Sequence, residues 1–423
     1  MERGRVRRAG VSMALVGALL ITGLVLGQGV LLKADCASGD WADGRQYRDF
    51  CYSDIVPLYG SEHLQGGRLP YVDACAPTGG QCDEYPVLTM YLMRLAAWLG
   101  HGFAAFFYWN VVLLSLFALG TAWLLFRMVG WRVLYFSLAP TLAIYGFVNW
   151  DLLAVFLATG ATYLFLKHRD AAGGGLAGLG TAAKLYPGLL LIPFGLDRVR
   201  ERRVGEAILL VVWGFVAWAT VNVPFALVAS GPWSTFFRYN AHRPPDWDSL
   251  WFVACQRLEA QTGCLWSPAI VNALAIGLLV LLAVAVWFFR SARDPRFPAW
   301  TFGFPLLVLF LLTSKVYSPQ YSLWLLPWFA LALPSPPLFI AFEAADVAVF
   351  LTRFSWFGRL AADSGDPGLA GYHGVPIGGF EIAVVIRAVI LVACVVAWSL
   401  RTEGAPEEAL AVRRPARPVA EAA

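Results

Sequence analysis

The chain has 423 residues, of which 59% are hydrophobic and only 14% are charged, and its formal net charge is +4. So few charged side chains leave too little polar surface to cover a water-soluble body of this size. The composition therefore excludes a soluble enzyme and predicts a chain whose main partner is the lipid bilayer, with no nucleic-acid partner.

Apolar segments predict an all-α, polytopic bundle of transmembrane helices. A span needs about 20 mostly apolar residues, because its backbone N–H and C=O groups must be satisfied within the helix itself. Five clear and five shorter segments predict about ten crossings, with the first segment an uncleaved signal anchor. The clear segments are residues 11–32, 102–126, 204–228, 269–289 and 382–400, and the shorter ones are residues 133–148, 152–166, 302–313, 321–333 and 338–351.

Basic clusters predict the orientation, since short positively charged loops stay in the cytoplasm. The clusters at residues 3–8, 127–132, 167–169, 198–203, 290–296 and 413–417 are therefore expected inside. The loops expected outside are a first loop (residues 33–86), a second loop (230–267), a third loop (314–320) and a fourth loop (353–380). Residues 173–195 lie between two inward-facing clusters, which predicts a re-entrant or broken helical pair around Lys184 and Pro187.

The chain is predicted to form one membrane domain, residues 1–402, followed by a disordered cytoplasmic tail, residues 403–423. The tail is rich in Ala, Pro, Glu and Arg and cannot bury a core. Residues 87–99 are too short to span and carry leucines on one helical face. They are expected to lie along the outer interface, or to form the first half of a kinked span that continues past Gly100.

The cysteines give an independent check on this topology. An even number in each exported loop suits disulfides in an oxidising compartment, whereas the alternative is that they are unpaired small residues. The first loop holds four, the second loop two and a span one: Cys36, Cys51, Cys75 and Cys82, then Cys255 and Cys264, then Cys394. Pairing of Cys255 with Cys264 is predicted, and the connectivity within the first four stays open.

Asp54 is the candidate catalytic residue. It follows the first span in a loop that mixes aromatic residues, turn formers and carboxylates, as a folded site does. The alternative for a single loop aspartate is a solvated or structural role.

Cations in the outer loops are candidates for binding an anionic substrate group. Arg238, His242 and Arg243 alternate with aromatic residues in the second loop, although an interfacial aromatic belt would look similar. Lys315 lies in the third loop, on the side of the membrane where basic residues are disfavoured, which favours a functional role. The alternative interpretation is that its side chain only extends to the membrane interface. Lys184 is an ionisable residue within an apolar segment, for which donor binding and structural pairing are both open.

Several of these motifs together resemble one family. The chain is similar to the polyprenol-phosphate-mannose-dependent mannosyltransferases of actinobacteria, which form glycosyltransferase family 87 in the C-type glycosyltransferase superfamily. A cysteine-bearing insert between Tyr71 and Glu84 departs from the pattern. The motifs that carry the resemblance are Asp54 after the first span, residues 67–71 (GRLPY), 84–86 (EYP), 184–187 (KLYP), 246–251 (DWDSLW) and 315–321 (KVYSPQY).

The resemblance implies a multi-spanning helical fold, an active site on the outer face of the cell membrane, and a polyprenyl-phosphate sugar donor. It also implies an acidic base in the first loop, which by position is Asp54. The acceptor is expected to be a lipid or glycan of the cell envelope. The residues expected to bind donor phosphate are Lys315, Arg238, His242, Arg243 and Lys184, and those expected to bind substrate are Tyr59, Tyr71, Glu84, Tyr85, Asp246, Asp248, Trp251, Tyr317, Gln320 and Tyr321.

The residue chemistry agrees with this expectation. A polyprenyl phosphate is already a good leaving group, so one carboxylate base and a set of cations suffice, and a single displacement inverts the anomeric centre. No cofactor and no metal are expected, although Asp246 and Asp248 leave a metal open. The main alternative is a transporter or flippase of a lipid-linked precursor, which the absence of detectable inverted repeats weakly disfavours; a structural scaffold is a third.

Overall fold

The computed structural model describes residues 2–75, 82–258 and 266–401, with side chains described from Met13 onward. The predicted tail at residues 403–423 and Cys264 lie outside the described residues. Within those ranges the fold is all-helical, with no β-strand. The α-helices are α1 (Glu2–Lys33), α2 (Arg45–Arg48), α3 (Ile55–Ser61), α4 (Val87–Leu99), α5 (Phe103–Val129), α6 (Leu134–Ser137), α7 (Pro140–Tyr145), α8 (Asp151–Leu166), α9 (Asp170–Ala183), α10 (Tyr186–Leu189), α11 (Leu191–Arg200), α12 (Val204–Val228), α13 (Ser230–His242), α14 (Leu250–Leu258), α15 (Pro268–Arg293), α16 (Gly303–Thr313), α17 (Leu326–Leu331), α18 (Pro336–Asp363) and α19 (Ile377–Leu400).

Several helices are long and apolar enough to cross a membrane, as expected of a membrane protein. Among the described residues there are five candidate spans, and each overlaps one of the five clear segments. The predicted ten crossings are not confirmed, because the remaining helices are shorter or less apolar. The candidate spans are Met13–Cys36, Phe103–Ser137, Val204–Val228, Pro268–Arg293 and Ile377–Leu400.

The shorter predicted segments depart from single helices. Residues 133–148 contain α6 and α7, with Pro140 in the first turn of α7, where its missing N–H does no harm. Residues 321–333 divide between a 3-10 helix, Pro319–Trp324, and α17. Residues 338–351 lie within the longer α18, so Arg353 belongs to a helix and the prediction that it begins the fourth loop is wrong.

Small residues bring α9 against α12. A Cβ added to Gly178 would lie 2.0 Å from the carbonyl oxygen of Gly214, and one added to Gly174 would lie 2.0 Å from that of Leu210. Glycines spaced four apart therefore let the two backbones touch. The chain leaves α9 at Lys184 in an extended conformation and re-enters a helix at Tyr186, so the helical pair breaks where the sequence predicted.

Helix α4 is a helix of its own. It ends at Gly100, which is extended, and α5 begins at Phe103, so the two do not form one kinked span. The Thr89 hydroxyl donates to the Ala183 carbonyl at 2.7 Å, and most of the residues facing the bundle are buried. This packing holds Tyr85, just before α4, close to the turn at Lys184.

Disulfides and a buried ion network shape the first loop. Cys36 bonds to Cys51 and Cys75 to Cys82, which answers the connectivity that the sequence left open. Cys255 is disulfide-bonded as well, although its predicted partner lies outside the described residues. Cys394 is free and buried.

Arg68 lies at the centre of the ion network in the first loop. Its guanidinium is 3.2 Å from Glu62 and 2.9 Å from Asp83, with all three side chains nearly inaccessible. Glu62 also accepts hydrogen bonds from the backbone N–H groups of Asp83 and Glu84, and burial raises its pKa to about 7. The network fixes the chain just ahead of Tyr85.

Candidate active site

A cavity of about 640 Å³ opens where the first, second and third loops meet the turn at Lys184. Its walls combine carboxylates, cations, aromatic rings and apolar side chains from segments far apart in sequence. Many of the residues predicted to bind substrate are brought together here: Asp54, Glu84, Tyr85, Lys184, Arg243, Asp246, Lys315, Gln320 and Tyr321.

Asp54 is held by two hydrogen bonds that come from different walls. The Tyr52 hydroxyl donates to Oδ1 at 2.8 Å, and the Asn149 amide donates to Oδ2 at 3.0 Å. The neighbouring Ser53 hydroxyl donates to the Phe147 carbonyl at 2.7 Å and so fixes the loop to the segment that carries Asn149. Burial raises the pKa of Asp54, and the hydrogen bonds from Asn149 and Tyr52 oppose that rise. An oriented carboxylate of this kind can accept a proton.

Asn149 was missed by sequence reasoning. It lies between α7 and α8, where apolar segments flank it, and its amide also donates to the Tyr85 hydroxyl at 2.7 Å. A polar residue in the sequence Asn149-Trp150-Asp151, between two predicted spans, was the available signal.

Lys184 pairs with a second carboxylate that the sequence reasoning did not single out. Its Nζ donates to Asp151 at 3.0 Å and lies 5.0 Å from the Tyr321 ring centroid and 5.6 Å from that of Tyr85. The indole of Trp324 donates to the other Asp151 oxygen at 2.7 Å. The structure shows the pairing of Lys184 and places the side chain in the cavity wall, and donor binding stays a prediction.

Lys315 lines the same cavity from the third loop. Its Nζ donates to the carbonyls of Ala241 and Arg243, at 3.1 and 2.9 Å, at the C-terminal end of α13. Across the described ranges it forms no ion pair with a carboxylate, whereas Lys184 does. Burial, and then the charge of Arg243, lower the pKa of Lys315. An ammonium left without a carboxylate favours an anionic ligand.

Arg353 adds a cation that the sequence analysis had not proposed. It reaches the cavity from α18, and its Nη1 donates to Asp248. The Asp248 backbone carbonyl accepts a hydrogen bond from the Arg387 guanidinium, which also lies 3.9 Å from the Asp248 carboxylate. Asp248 is buried and does not line the cavity, contrary to the prediction. Burial raises the pKa of Asp248 to about 6. A carboxylate committed to two arginines is a structural element rather than a substrate ligand.

Two predicted substrate tyrosines in the first loop also lie outside the cavity. Tyr59 is buried, accepts a hydrogen bond from the Gly102 N–H at 3.1 Å and stacks on Phe106. The Tyr71 hydroxyl donates to the Tyr85 carbonyl. Both rings stabilise the loop because their apolar faces pack into the core.

Trp251 and Tyr317 are likewise engaged away from the cavity. The Trp251 indole donates to the Thr313 carbonyl at 2.8 Å. The Arg387 guanidinium lies 3.8 Å from the centroid of the Tyr317 ring. Trp251 thus joins α14 to α16, and Tyr317 joins the third loop to α19.

Arg238 and His242 line a separate cavity of about 780 Å³ beside the first. Arg243, which follows the end of α13, borders both cavities. The second-loop cations predicted as one phosphate site are therefore divided, with Arg243 alone of the three on the first cavity.

The Asp246 carboxylate, which lines the cavity, is engaged with protein groups. Asp246 accepts a hydrogen bond from Ser318 at 3.0 Å and lies 3.9 Å from Arg243. In the described part of the chain, the cluster spaced for a metal is His63 with Cys75 and Cys82. Their two sulfurs are joined as a disulfide and offer no thiolate.

The model of glycosyltransferase family 87 matches residues 84–319, more than half of the chain. No curated protein matches the sequence. The matched region includes the Lys184 turn, the second loop and most of the third loop, and so covers much of the cavity wall. The chain belongs to glycosyltransferase family 87 and is a membrane glycosyltransferase.

Proposed function

We propose that this protein transfers mannose from a polyprenyl-phosphate donor to a cell-envelope lipid or glycan, with inversion, on the outer face of the cytoplasmic membrane. The observation that carries the proposal is the cavity itself, in which one oriented carboxylate, Asp54, shares a chamber with Lys184, Arg243 and Lys315.

A lipid-linked donor is supported by the apolar wall of the cavity. Ile276 and Leu279 of α15 line it together with Phe310. Helix α15 is a candidate span, and Ile276 is 64% exposed. An apolar side chain of a span that is exposed and also lines the cavity offers a prenyl chain a continuous path from bilayer to site.

The phosphate role falls first on Lys315, with Arg243 and Lys184 beside it. Lys184 is neutralised by Asp151 and Arg243 is near Asp246, whereas Lys315 contacts carbonyls. As the bond from C1 of the sugar to the phosphate oxygen breaks, the electron pair goes to the phosphate. A cation near that oxygen stabilises the transition state more than the ground state.

Asp54 is the proposed base. The acceptor hydroxyl oxygen bonds to C1 from the face opposite the phosphate, and its proton passes to the Asp54 carboxylate. The raised pKa of Asp54 makes it a better proton acceptor than an exposed aspartate. Tyr52 and Asn149 hold the carboxylate in place.

The test is transfer of labelled mannose by the purified protein in lipid nanodiscs. Polyprenyl-phosphate mannose is the donor, a nucleotide-linked mannose is the control donor, and an extract of the native cell envelope supplies the acceptor. Asp54→Asn is expected to bind the donor normally and to lose at least about a hundredfold in turnover. Transfer from the nucleotide donor, or normal turnover by Asp54→Asn, would contradict the proposal.

A further inference from the structure

The cavity has two ends with different chemistry, and Asp54 lies between them. Its Oδ2 faces the wall of Asn149, Tyr85 and Lys184, and its Oδ1 faces Tyr52. The Tyr52 ring in turn packs on Phe354 of α18, with the centroids 5.2 Å apart. The Asp54 carboxylate is sensitive to the charges of both Lys184 and Arg353.

The α18 end is a ring-lined pocket. Arg353, Trp247 and Phe357 all line the cavity there, together with Tyr47. The Trp247 and Phe357 centroids are 4.9 Å apart, and the Arg353 guanidinium lies 5.5 Å from the Trp247 centroid and 5.1 Å from that of Phe357. Trp247 is 42% exposed, so much of its surface is open to a ligand.

Arg353 carries an unused donor at this end. One of its terminal nitrogens is committed to Asp248, so its charge is matched. The Nε nitrogen is enclosed by protein. The second terminal nitrogen, Nη2, has no hydrogen bond among the described residues and is not enclosed, and the side chain lines the cavity. A neutral oxygen, such as a sugar hydroxyl, satisfies this donor without adding charge.

We infer that the α18 end, built from Arg353, Trp247, Phe357 and Tyr47, is the subsite for the acceptor, and that it binds a sugar ring rather than a phosphate. This inference rests on the proposed function. The aromatic faces stack against the ring, and an N–H of Arg353 Nη2 donates to one of its oxygens. The donor then occupies the rest of the cavity, which Lys184, Lys315 and the apolar residues of α15 line.

The assignment follows from where the proton must go. In an inverting displacement the acceptor oxygen and the donor phosphate lie on opposite faces of C1, and Asp54, which takes the proton, lies beside the acceptor oxygen. The Lys184 side offers cations and an apolar path to the bilayer, which suit a prenyl phosphate. The α18 side offers aromatic rings and one N–H group whose charge is already matched by Asp248. Both suit the uncharged hydroxyls and ring faces of a glycan.

The experiment separates acceptor affinity from donor affinity. Trp247→Ala and Arg353→Lys are compared with wild type and with Lys315→Met in nanodiscs, using polyprenyl-phosphate mannose as donor and native envelope extract as acceptor. Arg353→Lys keeps a charge for Asp248 but removes the second terminal nitrogen, Nη2. Both α18-end variants are expected to raise the apparent KM for the extract about tenfold, the scale of one lost ligand hydrogen bond or ring contact. Their donor Kd stays within about twofold of wild type, whereas Lys315→Met raises it.

Trp247→Ala tests the acceptor subsite even if Arg353→Lys fails to fold, because removal of this exposed side chain does not open the core. An unchanged acceptor KM in Trp247→Ala, or a rise in its donor Kd equal to that of Lys315→Met, overturns the subsite. If wild-type protein neither binds the donor nor transfers mannose, both the proposed function and the acceptor subsite are wrong. If wild-type protein transfers mannose and Trp247→Ala has an unchanged acceptor KM, the proposed function stands and only the assignment of the acceptor subsite is wrong.

Discussion

The Asn149 amide donates to Asp54 Oδ2 at 3.0 Å, across 95 positions of the chain. It joins the loop after the first span to the bend between α7 and α8. Because the same amide also donates to Tyr85, one side chain fixes the proposed base and an adjacent ring of the cavity.

Removal of this donor is expected to change the pH dependence of catalysis. The base works when ionised, so activity falls as the pH drops through the pKa of Asp54. The Asn149 hydrogen bond favours the ionised form and lowers that pKa. Asn149→Ala should therefore move the acidic limb of the kcat/KM profile to higher pH and lower kcat/KM at neutral pH about tenfold. A lower kcat/KM with an unmoved limb would assign Asn149 a purely structural role.

The Lys184–Asp151 pair can be tested with a double mutant. Lys184→Met leaves the fully buried Asp151 without its cation, so both thermal stability and donor affinity should fall, the stability by about 3 kcal/mol. Lys184→Met with Asp151→Asn should restore much of the stability and none of the donor affinity. Donor affinity is measured by equilibrium binding, and its recovery in the double mutant would argue against contact between Lys184 and the phosphate.

Lys315 combines a structural and a proposed substrate role. Lys315→Met loses the bonds to the Ala241 and Arg243 carbonyls as well as the charge. Turnover is expected to fall about a hundredfold, donor binding to weaken, and acceptor KM to stay the same. Lys315→Arg, which keeps the charge, is the matched control and should retain more donor affinity than Lys315→Met. Equal donor affinity in the wild-type and Lys315→Met proteins would shift the phosphate role to Arg243 or Lys184.

Contact between α9 and α12 depends on Gly178. In Gly178→Ala the new methyl would lie 2.0 Å from the Gly214 carbonyl oxygen, so the helices must separate. We expect the free energy of unfolding to fall by about 1–3 kcal/mol. This appears as a lower midpoint of thermal unfolding in detergent. Gly175→Ala is the control on the same helix, since nothing lies within 4 Å of its added Cβ. It should be neutral or slightly stabilising. Similar midpoints for the two variants would remove close packing as the reason for Gly178.

Local composition determined the fold class and the main membrane segments of this protein. Long apolar runs can be satisfied in lipid only as helices, so five candidate spans were readable without a structure. The helix break at Lys184 could also be predicted, because a charge and a proline interrupt the apolar pattern there. So could the position of Asp54 in the loop after the first span, because that loop is clearly more polar than the span. The helical interruptions near Pro140 and Pro319 were harder, since a short apolar run has the same composition whether it is one helix or two.

Tertiary structure alone decided which polar residues share the cavity. Asn149 and Arg353 line it from a bend and a helix far apart in sequence, and the buried Asp151 pairs with Lys184 in its wall. Tyr59 and Tyr71, which were predicted to bind substrate as well, are buried in the core instead. A sequence motif records that a side chain is polar or aromatic, but not the direction in which its backbone presents it. That direction is set by packing between distant helices, whose contacts depend on the whole chain at once.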